Sequence, residues 1–535
     1  MSSPEVDVAA TATDRSPVLD DTKLFGHPRG LGLLFATEMW ERFSYYGMRA
    51  ILVLFLVQAL HWTTKEAASL YGYYTSLVYL TPLIGGYLAD RWIGTRRSLV
   101  IGAIIISLGH FSLAFSSMKM FYLGLALVII GTGFFKSNVS TMVGQIYKPG
   151  DARRDAGFTI FYMGINLGAT FGQFVCGYFG DPVRWGDGGW HIGFAAAGFG
   201  MVAGLIVYLW GRDKYLPGIG LGTAVARAKQ AAARAGHGAA DAMANIDRDA
   251  WWQALVGAVL GAGLAWYLGA ADGDVMQAVI GFGFGVLVGG AISLTVLGTK
   301  GEERKRVFAL FLVVVFVTAF WMCYEQAGSS MNLFALRNTD LNVFGHRVPP
   351  AWFQSVNTIC ILVFAPVFAA IWSALSKRGK EPSTAFKMVI GLTLLGTGFL
   401  FMVAGGRRAD TGVLVSPLYL MSAYALHTWG ELCLSPVGLS YFTKVAPLKF
   451  ASLLMGVWFL SNAAANFLAG MLAGYLPTPG EAPTAPATGL AGVIQHAAAT
   501  NGGFWMIFVV IGFGAAGTML LCVPLLKWLT RSVKA

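Results

Sequence analysis

Residues 37–49 read TEMWERFSYYGMR, within an apolar run that opens near Leu31 and continues through ILVLFLVQAL. The stretch carries Glu38, Glu41, Arg42 and Arg49 in a segment otherwise suited to a bilayer. On a helix at about 100° per residue, Glu38, Glu41, Arg42, Tyr45 and Arg49 fall within one arc of roughly 100°, and Tyr46 lies beside it. They climb about 16 Å, roughly half the hydrocarbon thickness. A charge at the centre of a spanning helix costs roughly 2.5–3.5 kcal/mol on insertion scales, so such a ladder needs a reason, either proton chemistry or a static ion-pair cluster that fixes helix register. Carboxylates beside arginines in a low dielectric are natural proton carriers, because small changes in pairing alter their proton affinity strongly.

The rest of the chain sets this segment in a membrane protein. Charged residues make up 12% of the 535 positions, against roughly 25% in soluble chains. Apolar runs of spanning length are expected at 29–59, 68–90, 98–117, 121–146, 156–180, 190–211, 250–270, 276–298, 307–333, 351–376, 386–404, 415–442, 452–475 and 503–528. The fold class is therefore all-α, with about fourteen transmembrane helices. Residues 1–28 are polar and acidic, with no short apolar core or cleavage site, so no cleaved leader is expected. Cys176, Cys323, Cys360, Cys433 and Cys522 all fall within spans at unpaired spacing, which suits buried thiols rather than disulfides or a metal site.

The net charge of +11 reflects topology rather than nucleic-acid binding. With the amino terminus in the cytoplasm, only Lys65, Lys119, Arg184, Arg337, Arg347, Arg407 and Arg408 fall outside. The other loop cations fall inside, so both termini are expected to be cytoplasmic. Arg42, Arg49 and Lys136 remain within spans, with Glu38, Glu41, Glu325 and Glu431 as the acidic remainder.

Two halves follow from an internal repeat. Residues 35–47, FATEMWERFSYYG, align without a gap to 316–328, FVTAFWMCYEQAG, keeping Phe, Thr, Trp and Gly. The basic loop GGYLADRWIGTRRSL has a counterpart in SALSKRGKEP. The expected organisation is a tail (1–28), a six-helix bundle (29–211), a basic linker (212–249), an extra transmembrane hairpin (250–298), a second six-helix bundle (299–529) and a short tail (530–535). Two parallel repeats of six helices, with a site at the midplane, are the architecture of many secondary transporters. Lys136 and Glu431 stand on the fourth helices of the two halves, Arg49 and Glu325 on the first. Two cations facing two carboxylates suit a zwitterion. Tyr79, Asn166, Trp321, Asn357, Ser435 and Trp458 supply aromatic and polar lining, although each alone suits packing equally well.

These residues carry a resemblance. TEMWERFSYYG resembles the signature of the proton-coupled oligopeptide transporters, a branch of the major facilitator superfamily. GGYLADRWIGTRRSL is similar to the superfamily loop, FYMGINLG resembles the second peptide-transporter signature, and GELCLSPVG the tenth-helix motif. The hairpin at 250–298 resembles the pair that bacterial members insert. The resemblance implies import of di- and tripeptides with protons by alternating access, no cofactor, a monomer, and a bacterial inner membrane. It implies that Arg49 and Lys136 hold the peptide carboxylate, and that Glu431 and Asn357, helped by Asn166, hold the amino terminus. Tyr45, Tyr46, Tyr79, Trp321, Trp458 and Ser435 would line side-chain pockets. Glu38, Glu41 and Arg42 would couple proton movement, with Glu325 the main protonation site and Arg49's intermittent partner. Lys136 with Glu431 would form the second gating pair. One departure is Gly72, which stands where mammalian members resembling this chain carry a histidine, so coupling is expected to rest on carboxylates. His110 and His427 suit packing.

An enzyme is not expected. The sequence has no HExxH, no GxSxG, no P-loop and no paired Cys/His spacing. The alternative within the same fold is a proton symporter for nitrate or another small solute, which leaves Glu431 without an obvious partner.

Overall fold

The computed structural model describes residues 16–148, 150–223, 248–270, 275–447, 450–478 and 489–532. Most of the expected linker and parts of both tails lie outside these described residues, as does Lys449. The long helices are α1 (Arg29–Gln58), α2 (Thr64–Leu88), α3 (Thr95–Leu113), α4 (Met118–Gln145), α5 (Arg153–Phe179), α6 (Gly189–Tyr215), α7 (Arg248–Ala270), α8 (Val275–Leu297), α9 (Gly301–Tyr324), α10 (Ser330–Asn338), α11 (Ser355–Lys377), α12 (Thr384–Ala409), α13 (Leu418–Val445), α14 (Ala451–Ala473) and α15 (Asn501–Leu529). They match the expected spans within a few residues at nearly every end. By length and composition, nine segments among the described residues are apolar enough to cross a membrane. The α1 helix is not one of them, because its charges lower its apolarity.

The ninth expected span, 307–333, departs from its reading. It is not one helix: α9 stops at Tyr324, a tight turn covers Glu325–Gly328, and Ser329 (φ −122°, ψ −93°) precedes α10. Glu325 therefore sits at a break rather than mid-helix. No proline marks it, but Gly328-Ser329-Ser330 is a local sequence of the kind that kinks helices.

The described residues form two compact units, Met1–Gly236 with Ala327–Phe364, and His237–Gln326 with Ala365–Ala535. In the first, α1 lies directly on α5. A Cβ at Gly168 would stand 2.0 Å from the Met39 carbonyl oxygen, and one at Gly172 2.2 Å from that of Phe43. Only glycine permits this approach. The α2–α3 connection turns at Gly94 (φ +85°), in the left-handed region that glycine adopts freely. Arg96 beyond it holds the segment after α6, its Nη2 donating to the Leu216 carbonyl at 2.5 Å and its amide to that of Gly220 at 3.0 Å. Ser16 Oγ donates to Pro217 O at 2.5 Å. Val18, Leu99, Phe135, Met142, Leu216 and Ile219 share one buried cluster there, so residues read as tail and linker belong to this unit's core.

The stretch 327–364 joins the same unit through polar contacts. Asn332 Nδ2 donates to Ala50 O at 2.8 Å, and Trp352 Nε1 to Phe174 O at 3.0 Å. Thr170 and Thr358 hydroxyls meet at 2.6 Å, and Arg347 Nη1 donates to Asp181 Oδ2 at 2.5 Å.

In the second unit α9 packs on α13, α14 and α15, and α12 on α13 and α15. The α7–α8 hairpin closes through facing glycines, a Cβ at Gly261 falling 2.2 Å from Gly285 O. His427 packs against Phe399 at 4.4 Å between ring centres. In the first unit His110 Nε2 lies 2.6 Å from Ser44 Oγ. Both histidines are buried. The five cysteines are free thiols.

Candidate functional site

The charged face of α1 points inward, as its periodicity predicts. Glu38, Glu41, Arg42, Tyr45 and Arg49 are all buried, and Tyr46 is half-buried. Arg42 Nε donates to Glu38 Oε1 at 2.7 Å and lies 2.9 Å from Glu41 Oε2. One guanidinium thus serves two carboxylates in a water-poor setting. Among the described residues, Glu38 Oε2 and both Glu41 oxygens accept no hydrogen bond. Such oxygens are poised to take a proton or a new donor.

Two turns further along, Arg49 Nε donates to Tyr71 Oη. The guanidinium carbon lies 5.5 Å from the Tyr71 ring centre and 5.9 Å from that of Tyr46, which meets Tyr45 edge-on at 5.1 Å. Lys136 Nζ sits 3.9 Å over the Tyr79 ring. Cations over aromatic faces are stabilised without losing their charge, so both remain able to attract an anion. Asn166 is buried, donating to Tyr162 O at 2.9 Å, while Asn357 on α11 is half-buried.

The second unit holds the opposite charges. Glu431 on α13 and Glu325 at the break are both buried. Tyr324 Oη donates to Glu431 Oε2, and its ring meets Trp321 at 5.0 Å and Phe320 at 5.7 Å. Trp321 Nε1 is buried and donates to nothing among the described residues. Ser435 follows Glu431 by one turn and is half-buried. Trp458 is buried on α14, edge-on to Phe442 at 5.0 Å, and Gly438 leaves room for its ring.

The structure thus brings Glu38, Glu41 and Arg42 into one cluster, Lys136 onto Tyr79, and Arg49 beside Tyr46. The sequence reading missed Tyr71 and Tyr324. Each is the hydroxyl partner of a charge that was singled out. The available signal was an aromatic residue next to a motif position, Tyr71 beside Gly72 and Tyr324 beside Glu325.

Comparisons with known proteins identify what the chain is similar to. The model of the POT family matches residues 96–251 and 284–487. A peptide transporter of Yersinia enterocolitica is 35% identical over 466 residues, covering 84% of this chain and 88% of that protein. A di-/tripeptide transporter of Lactococcus lactis subsp. cremoris is 33% identical over 486 residues, covering 88% of this chain and 94% of its own length. Among solved structures, the crystal structure of a peptide transporter POT in complex with sulfate superposes with a TM-score of 0.75 at 34% identity, covering 98% of this chain and 99% of that one. A mutant of a peptide transporter POT in complex with alafosfalin also gives a TM-score of 0.75 at 34% identity, with the same coverage. With a family model over well over half its length and relatives of that identity along most of the rest, the chain belongs to the POT family of membrane transporters, and it is not an enzyme.

Proposed function

We propose that this protein imports di- and tripeptides together with protons by alternating access of its two six-helix halves. One observation carries the reading: one unit holds two buried or half-buried cations bedded on tyrosines, Arg49 and Lys136, while the other holds two buried carboxylates, Glu325 and Glu431. A peptide's carboxylate suits the first set and its ammonium the second. In this reading Arg49 and Lys136 take the carboxylate, and Glu431, Asn357 and Asn166 the amino terminus. Tyr45, Tyr46, Tyr79, Trp321, Ser435 and Trp458 line the side-chain pockets. The Glu38–Arg42–Glu41 cluster and Glu325 carry the coupled proton, and Arg49 with Glu325 and Lys136 with Glu431 pair when substrate is absent. The protein works as a monomer in a bacterial inner membrane, with both termini cytoplasmic and the proton gradient in place of any cofactor. The nitrate alternative gains no support, since the relatives above are named as peptide transporters.

The test is uptake of labelled dialanine into liposomes holding the purified protein, with an inward proton gradient imposed and then collapsed. Accumulation that needs the gradient, and that tripeptide inhibits but free alanine does not, is expected. No gradient-dependent uptake by folded protein would overturn the reading.

A further inference from the structure

Tyr71 has no place in the peptide-binding set above, yet it is built around Arg49. Its hydroxyl accepts from Arg49 Nε, and its ring lies 5.5 Å from the guanidinium carbon. Arg49 is 6% exposed and Tyr71 2%, so water does not compete for this bond. Both side chains also press on the break between α9 and α10. A Cβ at Gly328 would fall 1.7 Å from Tyr71 Oη and 3.1 Å from Arg49 Nη2, so the bare backbone at that position touches them. The next residue of α1 grips the same region. The Ala50 carbonyl accepts from Asn332 Nδ2 at 2.8 Å and from Gln354 Nε2 at 3.4 Å. Arginine has a long side chain with much rotamer freedom to lose and five donors to place. A phenol wedged between it and a glycine backbone removes that freedom in advance.

We propose that Tyr71 is a positioning residue for Arg49: its hydroxyl fixes the guanidinium against the Gly328 backbone, so that Arg49 offers one geometry to a carboxylate. The role of Arg49 rests on the transport reading above. The geometry does not.

Two measurements separate them. In peptide-for-peptide exchange, Tyr71→Phe keeps the ring and loses the hydroxyl, and should raise the KM for dialanine by roughly tenfold, the order of one hydrogen bond to a charged group. The maximal rate should stay within about twofold. Tyr74→Phe is the control, since that buried hydroxyl one turn further along α2 has no hydrogen-bond partner among the described residues. It should leave KM unchanged. A purely structural Tyr71 would lower the maximal rate and leave KM alone, and an unchanged KM in Tyr71→Phe overturns the assignment. The second measurement is a thermal-unfolding cycle that needs no substrate. Gly328→Ala should lower Tm in the wild-type background and lower it less in Tyr71→Phe, where the nearest clashing atom is gone. Additive losses overturn the geometry even if wild-type protein exchanges no peptide. Non-additive losses without peptide exchange would uphold the geometry while the transport reading fails.

Discussion

Arg42→Gln isolates the energetics of the charged face on α1. Arg42 lies 2.7 Å from Glu38 and 2.9 Å from Glu41, all three side chains nearly inaccessible to solvent. At those separations and an effective dielectric of about 20, each attraction is roughly 6 kcal/mol before desolvation. Desolvation of three charges consumes most of that, so the cluster's net contribution is small. Removing the arginine alone is different, because two buried carboxylates lose the cation that contacts both of them. The cost of breaking a buried ion pair by deleting one partner is about 3–5 kcal/mol. Adding Glu38→Gln and Glu41→Gln to Arg42→Gln makes the site neutral and should restore most of that stability. The assay is thermal unfolding of purified protein followed by tryptophan fluorescence, beside gradient-driven dialanine uptake. The expected result is a large fall in Tm for the single variant, recovery in the triple, and no accumulation by the triple. If the triple variant is no more stable than the single, the electrostatic account is wrong. If it still accumulates peptide, the cluster fixes helix geometry and carries no proton.

Other outcomes follow from the same structure. Glu325→Gln should abolish gradient-driven accumulation while peptide exchange persists, and surviving accumulation would remove Glu325 as the coupling site. Tyr324→Phe removes the donor to Glu431 Oε2 and keeps the ring packed on Phe320 and Trp321. Binding of free-amino dipeptides, measured by calorimetry, should weaken by roughly tenfold, while an amino-acetylated analogue is unaffected. Gly168→Ala would place a methyl 2.0 Å from the Met39 carbonyl oxygen and force α1 from α5, so little folded protein should survive purification by size exclusion. Asp151, in the α4–α5 connection, is held down at about 2 by Arg153, through side-chain and then backbone hydrogen bonds. With a depressed folded value, that pairing is fully present above the ordinary carboxylate range and lost only as pH falls toward 2. Asp151→Asn should therefore change uptake by the same factor at every pH from about 5 to 8, and a pH-dependent factor would contradict the assignment.

The sequence by itself determined the class of fold and named the candidates for the site. Long apolar runs leave a chain no option but helices in lipid, because unpaired backbone groups there are too costly. Loop cations give the expected topology for a related reason, being too costly to carry across. The arc holding Glu38, Glu41, Arg42, Tyr45 and Arg49 was legible because 3.6-residue periodicity is a local property of one helix. Tertiary structure decided the partners. That Arg42 serves both carboxylates, that Lys136 lies on Tyr79, and that Tyr71 and Tyr324 supply hydroxyls to Arg49 and Glu431 all depend on which helices touch. Except within the α1 cluster, those partners stand 22 or more residues apart or on different helices, so no periodicity reports them. The break at Glu325–Gly328 is of the same kind. Its apolar flanks read as one span, and the chain bends there because α10 finds a hydrogen-bond partner on α1, the Ala50 carbonyl, that a straight helix would not reach.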